Sequence, residues 1–314
     1  MGEAATSEPL VRVRGLRKHY GAIRAVDGIS FDVGQGDVLA FLGPNGAGKT
    51  TVMKIITGFL EPDEGTVEID GHDIRKESLA ARAKIGYLPE NAPAYGEMTV
   101  GGFLEFIAAA RQLESPDTAV ERTLELTELQ RVRHQTVETL SKGFKRRVGL
   151  AQALIHDPKI LILDEPSDGL DPNQKALVQD LLAGLSEGRG ILLSTHILDE
   201  AEKICNRVLI ISEGKILVDS TPKELMARAP SHNLIQIEVN PDDLTRVREL
   251  AENQSWCSQV ETLSETSLAL YPRDGENHLP SLLGVLDGVE IRDISLREGR
   301  LDELFRSLTR GVAA

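Results

Sequence analysis

The sequence is short of cysteine and of positive charge, and each shortage excludes a class of protein. Only two of its 314 residues are cysteines. Cys205 and Cys257 stand too far apart to form a metal-binding pair, so neither a disulfide framework nor a zinc site is expected. The 49 acidic residues outnumber the 35 basic ones and give a formal net charge of −14. Because phosphate contacts need concentrated Lys and Arg, we expect no binding of nucleic acid.

Long apolar runs are absent as well. No stretch approaches the roughly 18 apolar residues that span a bilayer, and the opening MGEAATSEPLVRVRG has no signal-peptide core. We therefore expect the chain to be soluble on its own. The 41% of hydrophobic residues and the 28 glycines are typical of a globular protein. With roughly 100–200 residues per domain, the length suits two domains.

The first predicted domain, residues 9–228, alternates short apolar runs with helical patterns, which indicates an α/β fold. Runs such as VLAFLG and ILILDEP are apolar almost throughout, a pattern typical of parallel strands buried on both faces. From about Asn91 to Leu150 the patterns are amphipathic and helical, and no comparable strand interrupts them. We predict a mainly parallel core sheet with a helical subdomain at about residues 91–150.

The second predicted domain, residues 234–314, follows a turn-rich linker at residues 229–233. Its patterns give the order strand, helix, strand, strand, helix, strand, with one extra helix at the end. This order is that of a ferredoxin-like α+β domain. It carries no evident catalytic cluster, so we interpret it as a regulatory or dimer-supporting accessory domain.

The segment GPNGAGKTT at residues 43–51, here called the phosphate loop, follows a predicted strand and precedes a predicted helix. It matches GxxxxGK[ST], a pattern whose glycines let backbone N–H groups surround a phosphate at a helix N-terminus. Lys49 would reach the β- and γ-phosphates, and the Thr50 hydroxyl would bind Mg²⁺. The alternative is a glycine-rich turn without a ligand. The predicted nucleotide contacts are Gly43, Pro44, Asn45, Gly46, Ala47, Gly48, Lys49, Thr50 and Thr51.

Two adjacent acids, Asp164 and Glu165, end the apolar run KILILDEP. A carboxylate at the end of a buried strand can hold Mg²⁺ through water, and the next one can orient the attacking water or accept its proton. We assign Asp164 to Mg²⁺ and Glu165 to the water, with ATP and Mg²⁺ as cofactors. The alternative is that Glu165 only caps the turn before Pro166.

The segment Leu140-Ser-Lys-Gly-Phe144, the signature segment, stands 24 residues before Asp164. Together with the two preceding motifs it resembles the ABC ATP-binding cassette family, whose signature LSGGQ occupies this place. Over residues 9–228 the resemblance implies a P-loop NTPase cassette with an N-terminal antiparallel β portion beside the parallel sheet. Lys142 and Phe144 depart from the family pattern.

The same resemblance implies that Ser141 and Gly143 contact the γ-phosphate of ATP held by a second subunit. Two subunits, expected to be a homodimer, would thus enclose two ATP molecules. A plain helix cap before KRRVGLAQALI is the alternative for this segment. Asp171 resembles the family's D-loop residue, which would contact the other subunit's phosphate loop.

Three further positions are assigned by resemblance. His196, 31 residues after Glu165, resembles the switch histidine that links the γ-phosphate to that glutamate, although a lone histidine is more often structural. Tyr20 resembles the adenine-stacking aromatic residue, and a packed core tyrosine is its alternative. Glu90 stands where the family usually has a glutamine that links Mg²⁺ to the membrane partner, so we include it among the metal residues.

The segments GYLPE and LSKGF and the ending LDELFRSL are similar to ATPases of ABC-2-type exporters, including gliding-motility-associated and drug-exporter subunits. The resemblance implies that ATP closes the dimer, that hydrolysis reopens it, and that a separate integral membrane permease uses the motion. The expected location is the cytoplasm, peripherally on the inner face of the cell membrane.

Two alternatives remain open at this point. One is an ABC ATPase that acts without transport, as a mechanical signalling or assembly subunit of a membrane complex. The other is a soluble DNA-repair or translation ATPase. The second is disfavoured because the sequence contains one cassette, no long coiled coil, no zinc-finger cysteines and no basic tail.

Overall fold

A computed structural model describes residues 8–91 and 94–310 of the chain. Two residues of the predicted helical subdomain, 92 and 93, lie outside the described residues, as do residues 311–314 of the predicted second domain. The chain divides into two compact units, Met1–Asp219 and Ser220–Ala314. The domain boundary expected from the linker composition, after residue 228, stays a prediction.

Two sheets lie in the part of the chain before the second unit. The strands are β1 (Val11–Tyr20), β2 (Ile23–Val33), β3 (Val38–Leu42), β4 (Glu64–Ile69), β5 (His72–Asp73), β6 (Ile85–Leu88), β7 (Ile160–Asp164), β8 (Gly190–Thr195), β9 (Arg207–Ser212) and β10 (Lys215–Ser220). One sheet has the order β2-β1-β4-β5 and is antiparallel. The other has the order β10-β9-β3-β8-β7-β6, and the pairs from β9 to β6 are parallel. Both the predicted parallel core and the predicted antiparallel portion are observed.

The helices of this part are α1 (Lys49–Ile56), α2 (Ser78–Ala83), α3 (Val100–Ala110), α4 (Pro116–Leu126), α5 (Lys142–Leu154), α6 (Pro172–Leu185) and α7 (Leu198–Ile204). Helices α3, α4 and α5 share a hydrophobic core of their own. Between residues 94 and 150, the described chain has no strand beyond an isolated bridge that joins Thr99 to Thr136. These three helices therefore form a lobe with a hydrophobic core of its own.

The central strands β3, β7 and β8 are buried at every residue, as their continuous apolar runs predict. Side chains alternate along a strand, so Leu39 and Phe41 of β3 face the same side. They pack there against Val52 and Ile56 of α1 and against the antiparallel sheet. One continuous core thus fixes α1 to the strand that precedes it.

The strand register brings four chain segments to one edge of the parallel sheet. Leu42 pairs with Thr195, Asp164 with Ser194 and Leu88 with Leu163. The residues that follow β3, β6, β7 and β8 consequently emerge side by side at the carboxyl edge. In open parallel sheets this edge is where ligands bind.

The second unit contains a four-stranded antiparallel sheet with two helices packed on one face. Its elements are α8 (Pro222–Met226), β11 (Leu234–Val239), α9 (Pro241–Glu252), β12 (Cys257–Thr262), β13 (Ser267–Pro272), α10 (Leu279–Val285), β14 (Ile291–Arg297) and α11 (Leu301–Arg310). The sheet order is β12-β13-β11-β14, and Ile235, Ile237 and Val239 of the central strand β11 pack against α9 and α10. This topology is the predicted ferredoxin-like arrangement with α11 added.

Both cysteines are free and buried, and burial raises the pKa of Cys205 to about 12. A thiol with so high a pKa is unreactive near neutral pH. No helix within residues 8–91 and 94–310 combines the length and the apolar character needed to cross a membrane.

His156, just after α5, predicts a pH-dependent loss of stability. Its Nε2 lies 3.0 Å from the carbonyl oxygen of Ile85, and its Nδ1 is buried without a hydrogen-bond partner in the described part of the chain. Burial, helped by the charge of Arg111, lowers the pKa of His156 from 6.5 to about 4. Below pH 6.5 the unfolded chain therefore gains a proton that the folded chain takes up only near pH 4.

We expect the free energy of unfolding to fall as pH drops from about 6.5 to about 4, and to fall less in His156→Gln, which retains an N–H donor. Urea unfolding of both proteins at several pH values measures the difference. Parallel curves for the two proteins would contradict this prediction.

Candidate functional site

A cavity of about 370 Å³ lies at the carboxyl edge of the parallel sheet. Its walls come from the phosphate loop, from the start of α1 and from the segments after β6, β7 and β8. The described residues that line it are Ala25, Asn45, Gly46, Gly48, Lys49, Thr50, Thr51, Glu90, Glu165, Asp168 and His196. The structure therefore brings together nine of the residues that the sequence predicted for the site, along with two that it did not.

The phosphate loop depends on glycine at specific positions. A Cβ at Gly48 would lie 2.2 Å from the carbonyl oxygen of Ala25, and one at Gly43 would lie 2.5 Å from that of Ile211. Gly48 is also the N-cap of α1, with φ of 106°, a conformation that other residues rarely adopt. The loop therefore turns tightly enough to direct the N-terminus of α1, with its unpaired N–H groups, into the cavity.

Lys49 carries the buried positive charge of this site. Its side chain is almost fully buried, and Nζ donates hydrogen bonds of 2.6 Å to the Gly43 carbonyl and 3.2 Å to the Pro44 carbonyl. Burial lowers the pKa of Lys49, while the charges of Glu165 and Asp164 oppose that shift. The ammonium group is thus held at the floor of the phosphate loop, where an anionic group would meet it.

Asp164 and Glu165 have different environments although they are adjacent. Asp164 is 1% exposed, and its Oδ1 accepts a hydrogen bond of 2.5 Å from the Ser194 hydroxyl. Glu165 reaches the cavity, and its Oε2 lies 2.9 Å from Nδ1 of His196. Burial raises the pKa of the Glu165 carboxyl group, and His196 counteracts this shift by its charge and its hydrogen bond. The pairing that the family resemblance implied is present in the geometry.

The backbone of Glu165 is strained. Its φ of 50° lies in the left-handed region, where a residue with a side chain is disfavoured by about 1–3 kcal/mol. Its N–H group donates to the carbonyl and to the hydroxyl of Ser194, at 3.2 and 3.1 Å. A strained backbone of this kind persists only where the surroundings hold it, and such positions cluster at functional sites.

Eight predicted residues lie outside the cavity lining in the described chain: Tyr20, Gly43, Pro44, Ala47, Ser141, Gly143, Asp164 and Asp171. Tyr20 ends β1 and is 49% exposed, so it is not a packed core tyrosine. Ser141 is the N-cap of α5, since its Oγ accepts a bond of 3.4 Å from the Phe144 N–H. The helix cap that the alternative described is therefore present, and it does not exclude a contact with a second subunit.

The signature segment lies against the N-terminus of α6. Asp171 caps α6 by accepting a hydrogen bond of 3.0 Å from the Gln174 N–H. A Cβ at Gly143 would lie 2.2 Å from Oε1 of Gln174, so a larger residue there would displace the end of the Gln174 side chain. Two capped helix N-termini, of α5 and α6, therefore lie together outside the subunit's own cavity.

Sequence reasoning missed Ala25, Asp168, Ser194 and Arg146. Asp168 follows the acid pair by only three residues and lines the cavity, and the ammonium group of Lys142 lies 3.8 Å from its carboxylate. Ser194 belongs to the same STH segment as His196, and that neighbourhood was a usable signal. Ala25 places its backbone carbonyl beside Gly48, a contact that no side-chain pattern could have predicted.

The charge of the cavity suits a cation bound together with a phosphate. The carboxylates of Glu90, Glu165 and Asp168 line it, and the buried Asp164 is adjacent to Glu165 in sequence. Among the described lining residues, Lys49 is the lysine whose positive charge balances part of this negative charge. A triphosphate alone would be repelled by these acids, and a divalent cation would offset the repulsion. No group of three or more His, Cys, Asp or Glu within the described ranges could hold a metal ion by itself. The donor set therefore fits an ion that shares its ligands with phosphate, a hydroxyl and water.

Comparison with known proteins identifies the family. A family model described as ABC transporter matches residues 26–168. The Nod factor export ATP-binding protein I of Ralstonia nicotianae is 33% identical over 98% of this chain and 96% of that protein. The chain belongs to the ABC transporter ATP-binding proteins. It is thus an ATP-binding and ATP-hydrolysing subunit of the ABC type, as the sequence motifs predicted.

Further similarities agree with this family. The daunorubicin resistance ATP-binding protein DrrA3 of Streptomyces coeruleorubidus is 32% identical over 96% of each chain. The structure of cbiO1 from Clostridium perfringens, part of the ABC transporter complex cbiONQ, matches with a TM-score of 0.65 and 30% identity over 71% of this chain and 92% of that one. The predicted ABC cassette fold and the predicted resemblance to exporter ATPase subunits are confirmed.

The phosphate loop of this ATPase provides a matched pair of glycine substitutions. Gly46 and Gly48 both have positive φ, but a Cβ at Gly46 meets no atom within 4 Å. Gly46→Ala therefore adds only backbone strain of about 1–2 kcal/mol, whereas Gly48→Ala also displaces the Ala25 carbonyl. We expect Gly48→Ala to weaken ATP binding at least about tenfold more than Gly46→Ala. Titration with a fluorescent ATP analogue checks this, and equal affinities would contradict the close contact.

Proposed function

We propose that this chain is the motor subunit of an ABC-2-type exporter and that two copies power a separate membrane permease. The observation that carries the proposal is the Glu165–His196 pair, 2.9 Å apart, in the cavity that also contains Lys49. The relatives named for Nod factor export and daunorubicin resistance support export over import. The proposed location is the cytoplasmic face of the membrane.

We assign each residue of the cavity a separate role in ATP hydrolysis. The N–H groups of the phosphate loop and the Lys49 ammonium would bind the β- and γ-phosphates, and the Thr50 hydroxyl and Asp164 would hold Mg²⁺, with Glu90 nearby. In that position Mg²⁺ would supply positive charge that offsets the phosphate charge in the transition state. Glu165 orients the attacking water and receives its proton, while His196 fixes the carboxylate and reaches the γ-phosphate. The exposed ring of Tyr20 is available to stack on adenine.

A homodimer would complete the site. Ser141, Gly143 and Asp171 lie outside the cavity of their own subunit, at two helix N-termini that favour anionic partners. In a head-to-tail dimer the start of α5 would meet the γ-phosphate bound to the other copy. This arrangement gives the signature segment a function that the single chain does not provide.

An apolar groove on the first unit is the proposed contact with the permease. The groove has a volume of about 600 Å³ and is lined in part by Phe59, Leu79 and Tyr87. Phe59 and Leu79 are 74% and 81% exposed, and both line this one groove, where they are available to an apolar partner. Tyr87 belongs to β6, which leads directly to Glu90 in the cavity. A helix of the permease in this groove would therefore lie one short segment away from the bound nucleotide.

Trapping the closed state tests the proposed function. Glu165→Gln should lower kcat at least about 100-fold, the usual effect of losing a general base, and should leave ATP bound. We expect this variant, loaded with ATP in its native host, to purify with a multi-helix membrane protein in stoichiometric amount. Recovery without a membrane protein, or with ribosomes or nucleic acid, would refute the transport role. Undiminished turnover would remove Glu165 from its role.

The groove gives a separate prediction for the permease contact. In the Glu165→Gln background, Phe59→Ser should abolish co-purification of the membrane protein, because it removes an exposed aromatic ring from the groove. Its effect on ATP affinity should be small. Leu217→Ser, at another exposed leucine on β10, is the control and should retain the partner. Equal recovery of the partner in both variants would place the interface elsewhere.

A further inference from the structure

Arg146, near the start of α5, donates hydrogen bonds from all three guanidinium nitrogens to the backbone of two separate loops. Nε donates to the carbonyl of Pro166 at 3.0 Å, and Nη1 donates to those of Pro89 and Glu90 at 3.1 and 2.6 Å. Nη2 donates to the carbonyl of Asp164 at 2.6 Å and also to that of Glu165. One side chain thus connects the segment after β6 with the segment after β7.

The number of donors matches the number of acceptors. A guanidinium group has five N–H bonds in a rigid planar fork, and five carbonyl oxygens surround it here. A lysine offers three donors around a single point and a glutamine offers two, so neither can satisfy this set. The site is therefore specific for arginine by geometry as well as by charge.

The carbonyls that Arg146 contacts belong to the residues whose side chains form the active site. Glu90 and Glu165 direct their carbonyl oxygens to the guanidinium group and their carboxylates to the cavity. The left-handed φ of Glu165 needs an external restraint, and Arg146 supplies one on its carbonyl side. Ser194 restrains its N–H side. Both ends of this residue are thus fixed by hydrogen bonds.

The positive charge of Arg146 lies close to the acids Asp164, Glu165 and Asp168. Burial lowers the pKa of its guanidinium group, and the charges of Asp164, Asp168 and Glu165 oppose that shift. An arginine stays protonated in any such environment. A fixed positive charge therefore lies close to the backbone of the acids that face the nucleotide.

We propose that Arg146 is a positioning residue for ATP hydrolysis, which fixes Glu90 and Glu165 through their backbones and ties them to α5. The proposal rests on the roles proposed for these two acids. Because α5 begins at the signature segment, a shift of this helix would be transmitted to both carboxylates. None of these hydrogen bonds of Arg146 goes to the phosphate loop, so we expect a change of Arg146 to affect turnover more than nucleotide binding.

The test compares Arg146→Lys and Arg146→Ala with Lys145→Ala, an exposed cation on the same helix. We expect kcat to fall about tenfold in Arg146→Lys and about 100-fold in Arg146→Ala, because misplacement of a reacting group by about 1 Å has an effect of this size. The dissociation constant for ATP should stay within about twofold of that of the unchanged protein. Lys145→Ala should resemble the unchanged protein in both quantities.

Chemical rescue separates positioning from simple stabilisation. Millimolar guanidinium chloride should restore part of the lost kcat in Arg146→Ala, whereas equal sodium chloride should not. Unchanged kcat in Arg146→Ala, or equal losses of ATP affinity and kcat in both variants without rescue, would overturn the proposal. Glu165→Gln is measured in parallel: if it hydrolyses ATP normally, the proposed function of the site fails. If it is inactive while Arg146→Ala is fully active, only the inference about Arg146 fails.

Discussion

The hydrogen-bond register of the parallel sheet is the constraint on which the site depends. Because Leu42 pairs with Thr195, and Asp164 with Ser194, the segments after β3, β7 and β8 must leave the sheet at one edge. The burial of these three strands on both faces opposes a slip by one residue, since a slip would turn every core side chain to the other face. A catalytic arrangement drawn from segments more than a hundred residues apart in sequence is thus fixed by apolar packing that has no chemical role itself.

A second constraint is electrostatic. The cavity concentrates acids around a buried lysine, so the unliganded site holds charge of both signs in a partly desolvated space. The opposing pKa shifts of Lys49 and Glu165 have one cause, burial, which disfavours the charged form of each. Each group in turn favours the charged form of the other. The site is consequently preorganised for a ligand that brings both negative phosphate and a divalent cation.

Sequence reasoning predicted most of the fold because local and tertiary preferences agree in this chain. The continuous apolar runs of β3, β7 and β8 specify buried parallel strands, and the order of elements in the second unit specifies its topology. The phosphate loop and the acid pair were found because their chemistry needs fixed residue types at fixed spacing. Ala25 was missed because its backbone carbonyl approaches Gly48, a contact that no local pattern records. Ser194 was missed because its role is a hydrogen bond to Asp164, 30 residues away in sequence, although its place beside His196 was a usable signal. Arg146 was missed for the same reason, since all five of its acceptors are backbone atoms.

One departure of this chain from the family signature connects the signature segment with the cavity. Lys142 stands where the family usually has glycine, and its ammonium group lies 3.8 Å from Asp168, a residue of the cavity. Both partners are largely exposed, so this ion pair contributes little to stability. Arg146 lies one helical turn further along α5. Its half-buried guanidinium group has five carbonyl acceptors for its five N–H bonds. Because both cations extend from the start of α5 to the segment after β7, the signature helix is bound to the active site of its own subunit. A displacement of α5 would therefore act, through Arg146, on the backbone of Glu165. Because the φ of Glu165 is already strained, this residue is the point of the connection most sensitive to such a displacement.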